Sequence, residues 1–121
     1  MNKDEILNMS AGREMDMLVG EKVMGWIYNQ LGDAWIREGQ PWVGCDAFHP
    51  STDISAAWDV VEKLHSDFSI DLSYDDPQTI EPIKWCCELY AKSEPYQDYE
   101  ARADSAPLAI CRAALLATLN L

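Results

Sequence analysis

Apolar and polar residues alternate with the period of a β-strand in the second half of the chain. Every second residue from Phe68 to Tyr74 is apolar, which predicts a half-buried strand over 68–74. The same pattern predicts strands over 83–92 and 99–103, with Trp85 and Cys87 on the buried side of the first. The turns between these segments are too short for the crossovers that parallel pairing requires, so we expect an antiparallel meander.

Three other segments have helical periodicity. Residues 10–26 form a moderately amphipathic pattern, and residues 50–65 place Ile54, Trp58 and Val61 on one predicted apolar face. A third helix is expected from Asp104 or Ser105 to about residue 120, and it is apolar nearly all round. Such a helix is buried on more than one side, against the sheet and against another helix or a second subunit, so a homo-oligomer through it is one possibility.

The segment between the first two helices has no clear period. Residues 26–50 contain several glycines and prolines and three of the five tryptophans, and 34–37 fit either a helical turn or a short strand. Taken together, the patterns predict an α+β fold: a three-layer α-β-α sandwich with a small antiparallel meander sheet and helices on both faces. We expect one domain over residues 1–121.

The net charge of −12 narrows the classes of partner. Duplex DNA and anionic membranes would be repelled, which leaves basic proteins, cations and ligands held in a local pocket. Most of the excess charge lies in 53–104, where the acidic hairpins either keep the protein soluble or recognise a basic protein as a decoy of nucleic acid. No signal peptide or membrane-spanning segment is predicted, so we expect a cytoplasmic protein.

The residues that most resemble catalytic or metal-binding groups are clustered before the second helix. Cys45, Asp46 and His49 are zinc-ligand types, but a fourth ligand, such as His65 or Cys86, would have to come from elsewhere. Together with Asp53, Cys45 and His49 could instead serve a small nucleotide hydrolase. Neither pattern is specific, so we predict no metal, no cofactor and no enzymatic activity, with all four cysteines reduced.

A binding site is predicted near the start of the second helix. Ser51, Thr52 and Asp53 are possible N-caps, or hydroxyls and N–H groups that hold a phosphate. Arg112 is the only charge in the last helix, and it needs an acidic partner or a ligand anion. The predicted ligand-binding residues are Trp42, His49, Ser51, Thr52, Asp53 and Arg112.

Three stretches together carry a family resemblance. They are residues 11–16 continued by 21–26, residues 50–58 (PSTDISAAW) and residues 106–116 (APLAICRAALL). With them the chain resembles the phage ABA sandwich domain family, and more distantly the NinX-type phage proteins. The resemblance spans nearly the whole chain and implies an α-β-α sandwich, but it transfers no catalytic residues.

These observations predict a non-enzymatic phage accessory protein that acts by binding. Such a protein would counter host antiviral defence by sequestering a nucleotide signal or by blocking a host protein. The alternative is an acidic decoy of nucleic acid that binds a basic host protein. In either case we expect no direct contact with nucleic acid or a membrane.

Overall fold

The computed structural model describes residues 1–74 and 85–121. Its helices are α1 (Lys3–Asn8), α2 (Arg13–Leu18), α3 (Ile54–Leu64) and α4 (Ala106–Leu119). α2 continues directly as a π-helical turn, Val19–Val23, so the helix predicted over 10–26 is present in shorter form. α1 was not predicted, because its six residues bury only Ile6 and show no helical period.

A small sheet occupies the segment that has no clear period. Its strands β1 (Ile27–Asn29), β2 (Ala34–Ile36) and β3 (Val43–Gly44) are antiparallel, with β2 in the centre. Of the two readings of 34–37, the strand is therefore correct. Its middle residue, Trp35, is fully buried and joins this sheet to the core.

The larger sheet is the predicted meander. It pairs β4 (Phe68–Tyr74), β5 (Trp85–Ala91) and β6 (Asp98–Ala103) in antiparallel order. Cys87 and Leu89 are buried on the predicted side of β5. The predicted turn over 75–82 and the first residues of the strand predicted from 83 lie outside the described residues.

α4 is the central element of the core. Ser105 is its N-cap, with the hydroxyl oxygen accepting from the Leu108 N–H at 3.3 Å, and Pro107 lies in the first turn. One side of α4 contacts β5 and β6, and the other contacts α3 and the π-helical turn. The prediction that this helix is buried on more than one side is confirmed, and elements of the same chain cover it.

The α+β class and the antiparallel meander are confirmed, but the layers differ in detail from those predicted. In the described part of the chain, α4 is the helix that packs on the larger sheet, and α1, α3 and the π-helical turn contact α4 in turn. Within residues 1–74 and 85–121, the opposite face of this sheet carries mainly polar side chains and no helix layer. We call that opposite face the outer sheet face.

The buried face of α3 is shifted relative to the predicted one. Ala57, Val60, Val61 and Leu64 are buried, at the i, i+3, i+4 and i+7 spacing of a helix stripe. Ile54 and Trp58, which were expected on the apolar face, are each 48% exposed, because they lie on the flank of this stripe.

Candidate functional site

The predicted residues His49 and Thr52 lie at a small cavity of about 250 Å³. The cavity is bounded by α2, the buried Trp35 and the turn around Cys45, and its polar lining includes Asp16 and Arg13. The structure therefore brings two of the six predicted ligand-binding residues to one cavity, together with an acid that was not predicted. The remaining predicted residues have other positions and contacts.

Ser51 has a structural role. It is fully buried, its N–H donates to Asp16 Oδ1 at 2.8 Å, and its Oγ accepts from the Gly12 N–H at 3.0 Å. These bonds connect the start of α2 to the turn before α3. Asp16 was missed as a partner, because nothing in the sequence shows that residues 35 positions apart meet.

The N-terminus of α3 is capped by the protein itself. Asp53 is the N-cap, and its carboxylate accepts from the Ser55 N–H at 3.0 Å. Since this carboxylate already occupies the position where an anion would bind, the capping interpretation of Ser51, Thr52 and Asp53 fits better than the phosphate cradle.

His49 contacts two oxygens of the protein. Its Nε2 bonds the backbone oxygen of Asp46, and its Nδ1 lies 3.5 Å from Asp16 Oδ2. These two contacts hold the ring at the cavity that it lines.

The four cysteines are free and buried, as predicted for reduced thiols. Burial raises the pKa of each thiol, to about 11 for Cys86 and about 12 for Cys87. These thiols are therefore protonated near neutral pH, whereas a catalytic or zinc-binding cysteine acts as a thiolate.

Trp42 is 57% exposed in the segment between β2 and β3. It does not line the His49 cavity. The tryptophans of this region that pack together are Trp26 and Trp35, whose ring centroids are 6.1 Å apart, and Arg37 stacks over Trp26 at 5.4 Å. The structure thus separates Trp42 from the other predicted ligand-binding residues.

Arg112 lies in a different part of the molecule, at a groove of about 850 Å³ between α1, β6 and α4. Its Nε and Nη2 donate to the Met9 carbonyl oxygen at 3.3 and 2.9 Å, and Nη1 donates to that of Arg102 at 2.7 Å. Among residues 1–74 and 85–121 no carboxylate forms an ion pair with it, so main-chain oxygens replace the acidic partner that we expected. We call this opening the α1–β6 groove.

The outer sheet face carries a row of carboxylates. Asp71 is paired directly with Glu88, and Glu88 with Glu100, so three acids face each other across three strands. We call these three residues the carboxylate row. Asp71 and Glu100 are exposed, and Glu88 accepts a hydrogen bond from the Tyr90 hydroxyl. Sequence alternation places each acid on this face, but their alignment depends on the strand register.

The buried Cys86 lies beside this row. Its Sγ and one carboxylate oxygen each of Glu88 and Glu100 lie within 4.8 Å of one another, which is a distance that a metal ion could bridge. The Cys86 thiol is 3.4 Å from Glu100 Oε1 and donates to it. Burial first, and then this hydrogen bond, raise the pKa of the thiol, which disfavours the thiolate that a metal needs. None of these three residues belongs to the group of zinc-ligand types Cys45, Asp46 and His49.

The model of the Phage ABA sandwich domain matches residues 17–115, which is most of the chain. The chain belongs to the phage ABA sandwich domain family. The predicted family is therefore confirmed, whereas the similarity to NinX-type proteins stays a prediction. No curated protein and no solved structure shows significant similarity to the chain.

Membership of the phage ABA sandwich domain family indicates a phage accessory protein. The matched region contains His49, Ser51, Arg112 and the larger sheet, and it leaves out α1. No helix in the described residues is long and apolar enough to cross a membrane.

Proposed function

We propose that this phage accessory protein acts by binding, without catalysis, and that its outer sheet face docks on a basic protein of the host cytoplasm. The observation that carries the proposal is the carboxylate row, in which Asp71, Glu88 and Glu100 are directly paired. An anti-defence role fits this mode of action, since blocking a host protein requires a docking surface and no active site.

Repulsion within the carboxylate row is unfavourable for folding, and the ion pair of Arg102 Nε with Glu100 Oε1 at 3.2 Å offsets only part of it. Neighbouring strands lie about 4.8 Å apart, and like charges directly opposite each other on a sheet are destabilising. Alternation of Lys or Thr with the acids would avoid this cost. A partner with lysine or arginine side chains would offset the repulsion by placing a cation near two carboxylates at once.

The charge of the whole chain supports the same partner class. At a net charge of −12 the protein attracts basic surfaces and repels nucleic acid and anionic membranes. The attraction acts before contact, so it raises the association rate and weakens as salt screens it. A basic nucleic-acid-binding protein presents the complementary surface.

The groups that catalysis would need are already engaged. Burial keeps the pKa of all four thiols above its ordinary value, and the His49 ring contacts Asp46 and Asp16. These contacts favour a binding protein over a Cys–His hydrolase.

The proposal can be tested with a synthetic peptide of alternating lysine and alanine as the probe. The variant D71N/E88Q removes two charges from the outer sheet face, and D59N/E62Q removes the same two charges from the exposed side of α3. We expect D71N/E88Q to weaken peptide binding by about tenfold, the effect of one to two charge contacts, and D59N/E62Q by about twofold. Wild-type binding should also weaken as NaCl is raised.

Two outcomes would contradict the proposal. Equal losses in both variants would show that the peptide responds to net charge and not to this face. Binding that is unchanged in D71N/E88Q would exclude the carboxylate row as the docking site. Circular dichroism of each variant checks that the fold is retained.

A further inference from the structure

We propose that the α1–β6 groove is a second binding site, and that its ligand is a mononucleotide carrying a single negative charge. The site differs from the outer sheet face, and Glu100 of the carboxylate row also lines the groove. The inference rests on Arg112, on the hydrogen-bond donors around it and on the acids at the rim of the groove.

Arg112 has donors left for a ligand. A guanidinium has five N–H groups, and three of those of Arg112 are used on the carbonyl oxygens of Met9 and Arg102. One N–H on each terminal nitrogen remains, and the half-buried side chain lines the groove. Its three backbone contacts hold the guanidinium rigidly, so little side-chain entropy is lost when an oxyanion binds to it.

Other side chains in the groove also present donors. The Tyr99 hydroxyl lies 2.6 Å from Gln97 Oε1 and 2.5 Å from Asn120 Oδ1, and its single hydrogen is donated to one of these two oxygens. The amide that accepts this hydrogen has its NH₂ group left for the groove, and Lys3 adds an ammonium group from α1. A lining that is rich in donors favours a ligand that is rich in acceptors.

The size and chemistry of the groove favour a nucleotide over a simple oxyanion. A volume of about 850 Å³ is far larger than phosphate requires and is within the range of sites for small organic ligands. Asn and Gln amides are the side chains that pair with the edges of bases. Asn8 has its Oδ1 left as an acceptor, because its Nδ2 donates to the Asp4 carbonyl oxygen at 2.8 Å.

Acids at the rim limit the charge of the ligand. Asp4, Asp98 and Glu100 also line the groove. These three acids repel a ligand with several negative charges, while the three bases of the lining, Lys3, Arg102 and Arg112, attract an anion. This balance of acids and bases favours a ligand with a single negative charge, such as a cyclic phosphodiester, over a triphosphate.

Titration calorimetry with cyclic AMP, adenosine, ATP and inorganic phosphate tests this site. We expect cyclic AMP to bind at least about tenfold more tightly than each of the other three, since one charge-assisted hydrogen bond is worth about that factor. Amide chemical-shift changes should be confined to α1, β6 and α4 from Arg112 onward. Adenosine or phosphate binding as tightly as cyclic AMP, or no binding of cyclic AMP, would overturn the proposal.

A matched pair of variants locates the ligand without disturbing the contacts of Arg112. K3E/N120D replaces two exposed donors of the groove, and K63E/Q30E makes the same charge changes at exposed positions outside it. We expect K3E/N120D to weaken cyclic AMP binding at least about tenfold and K63E/Q30E about twofold. Equal effects in both variants would exclude the groove. Peptide binding at the outer sheet face is measured in parallel, so failure of one site is distinguished from failure of the other.

Discussion

Polar residues within apolar segments have two different roles in this protein. Ser51 is fully buried, and its bonds to Gly12 and Asp16 use its hydroxyl and N–H groups within the fold. Arg112 uses only part of its donors on the backbone and lines a groove. The sequence marks both residues as unusual, but only the count of their contacts separates a structural role from a binding role.

Gly20 illustrates a constraint that helix propensity alone would misjudge. It lies in the π-helical turn, and a Cβ at this position would overlap the side chain of Trp35. Although alanine is the better helix former, we expect G20A to lower the free energy of unfolding by about 1–3 kcal/mol, as overpacked cores do. Urea denaturation measures this change.

The control for Gly20 is Gly32, where a Cβ would meet no atom within 4 Å. We expect G32A to change the free energy of unfolding by less than about 0.5 kcal/mol. If G20A were as stable as the wild type, close packing of Trp35 against the turn would not be the reason for a glycine at this position.

At the scale of elements, the N-cap of α3 decides between two interpretations of the same residues. Because the Asp53 carboxylate accepts from the Ser55 N–H, D53A should lose about 1 kcal/mol of stability, and D53S should retain most of it. Thermal unfolding of the three proteins tests this order. A destabilised D53S variant would show that the negative charge matters more than the capping bond.

How far the sequence predicts an element depends on its length and on its cap. β4 is predicted with its observed bounds because seven alternating residues define a period, and α4 because Ser105 and Pro107 mark its start. The strands β1–β3 have two or three residues each, too few to show alternation. The candidate site was predicted less well, since the partners of Ser51 and Arg112 come from distant parts of the chain.

A surface cluster couples α2 to the hairpin of β1 and β2. Arg13 Nη2 and the Tyr28 hydroxyl donate to Asp33 Oδ1 at 2.6 and 2.8 Å, and these two hydrogen bonds, that of Arg13 first, lower the pKa of Asp33. A lowered pKa stabilises the fold at pH values above the ordinary carboxyl pKa, and this contribution is lost as the pH falls through the pKa of the folded state.

The contribution of this cluster can therefore be measured from the pH dependence of the free energy of unfolding. The difference in the free energy of unfolding between the wild type and D33N should be largest near neutral pH and should shrink as the pH falls below about 4. Asparagine suits the left-handed backbone of Asp33, at φ 45°, so the variant keeps the turn. The difference in the free energy of unfolding between the wild type and R13Q should shrink over the same pH range. A difference that stays constant down to acidic pH would show that the cluster does not cause the pH dependence.

At the scale of the whole molecule, burial changes the interpretation of the last helix. The apolar residues of α4 are covered by β5, β6, α3 and the π-helical turn of the same chain. A homo-oligomer is therefore not needed to bury them. The surface carries the excess of acids and the carboxylate row, together with exposed apolar side chains such as Leu31 and Trp42.

The carboxylate row should cost stability in the isolated protein. Each directly opposed pair of like charges destabilises a sheet by about 0.2–1 kcal/mol, so we expect D71N/E88Q to unfold at higher urea concentration than the wild type in low salt. Because salt screens exposed charges, the gain should shrink in about 0.5 M NaCl. The control D59N/E62Q relieves only the weaker repulsion of an i,i+3 pair on an exposed helix face and should gain less. If D71N/E88Q gained no stability at low salt, the row would cost the fold nothing, and repulsion would no longer be a reason to assign it a binding role.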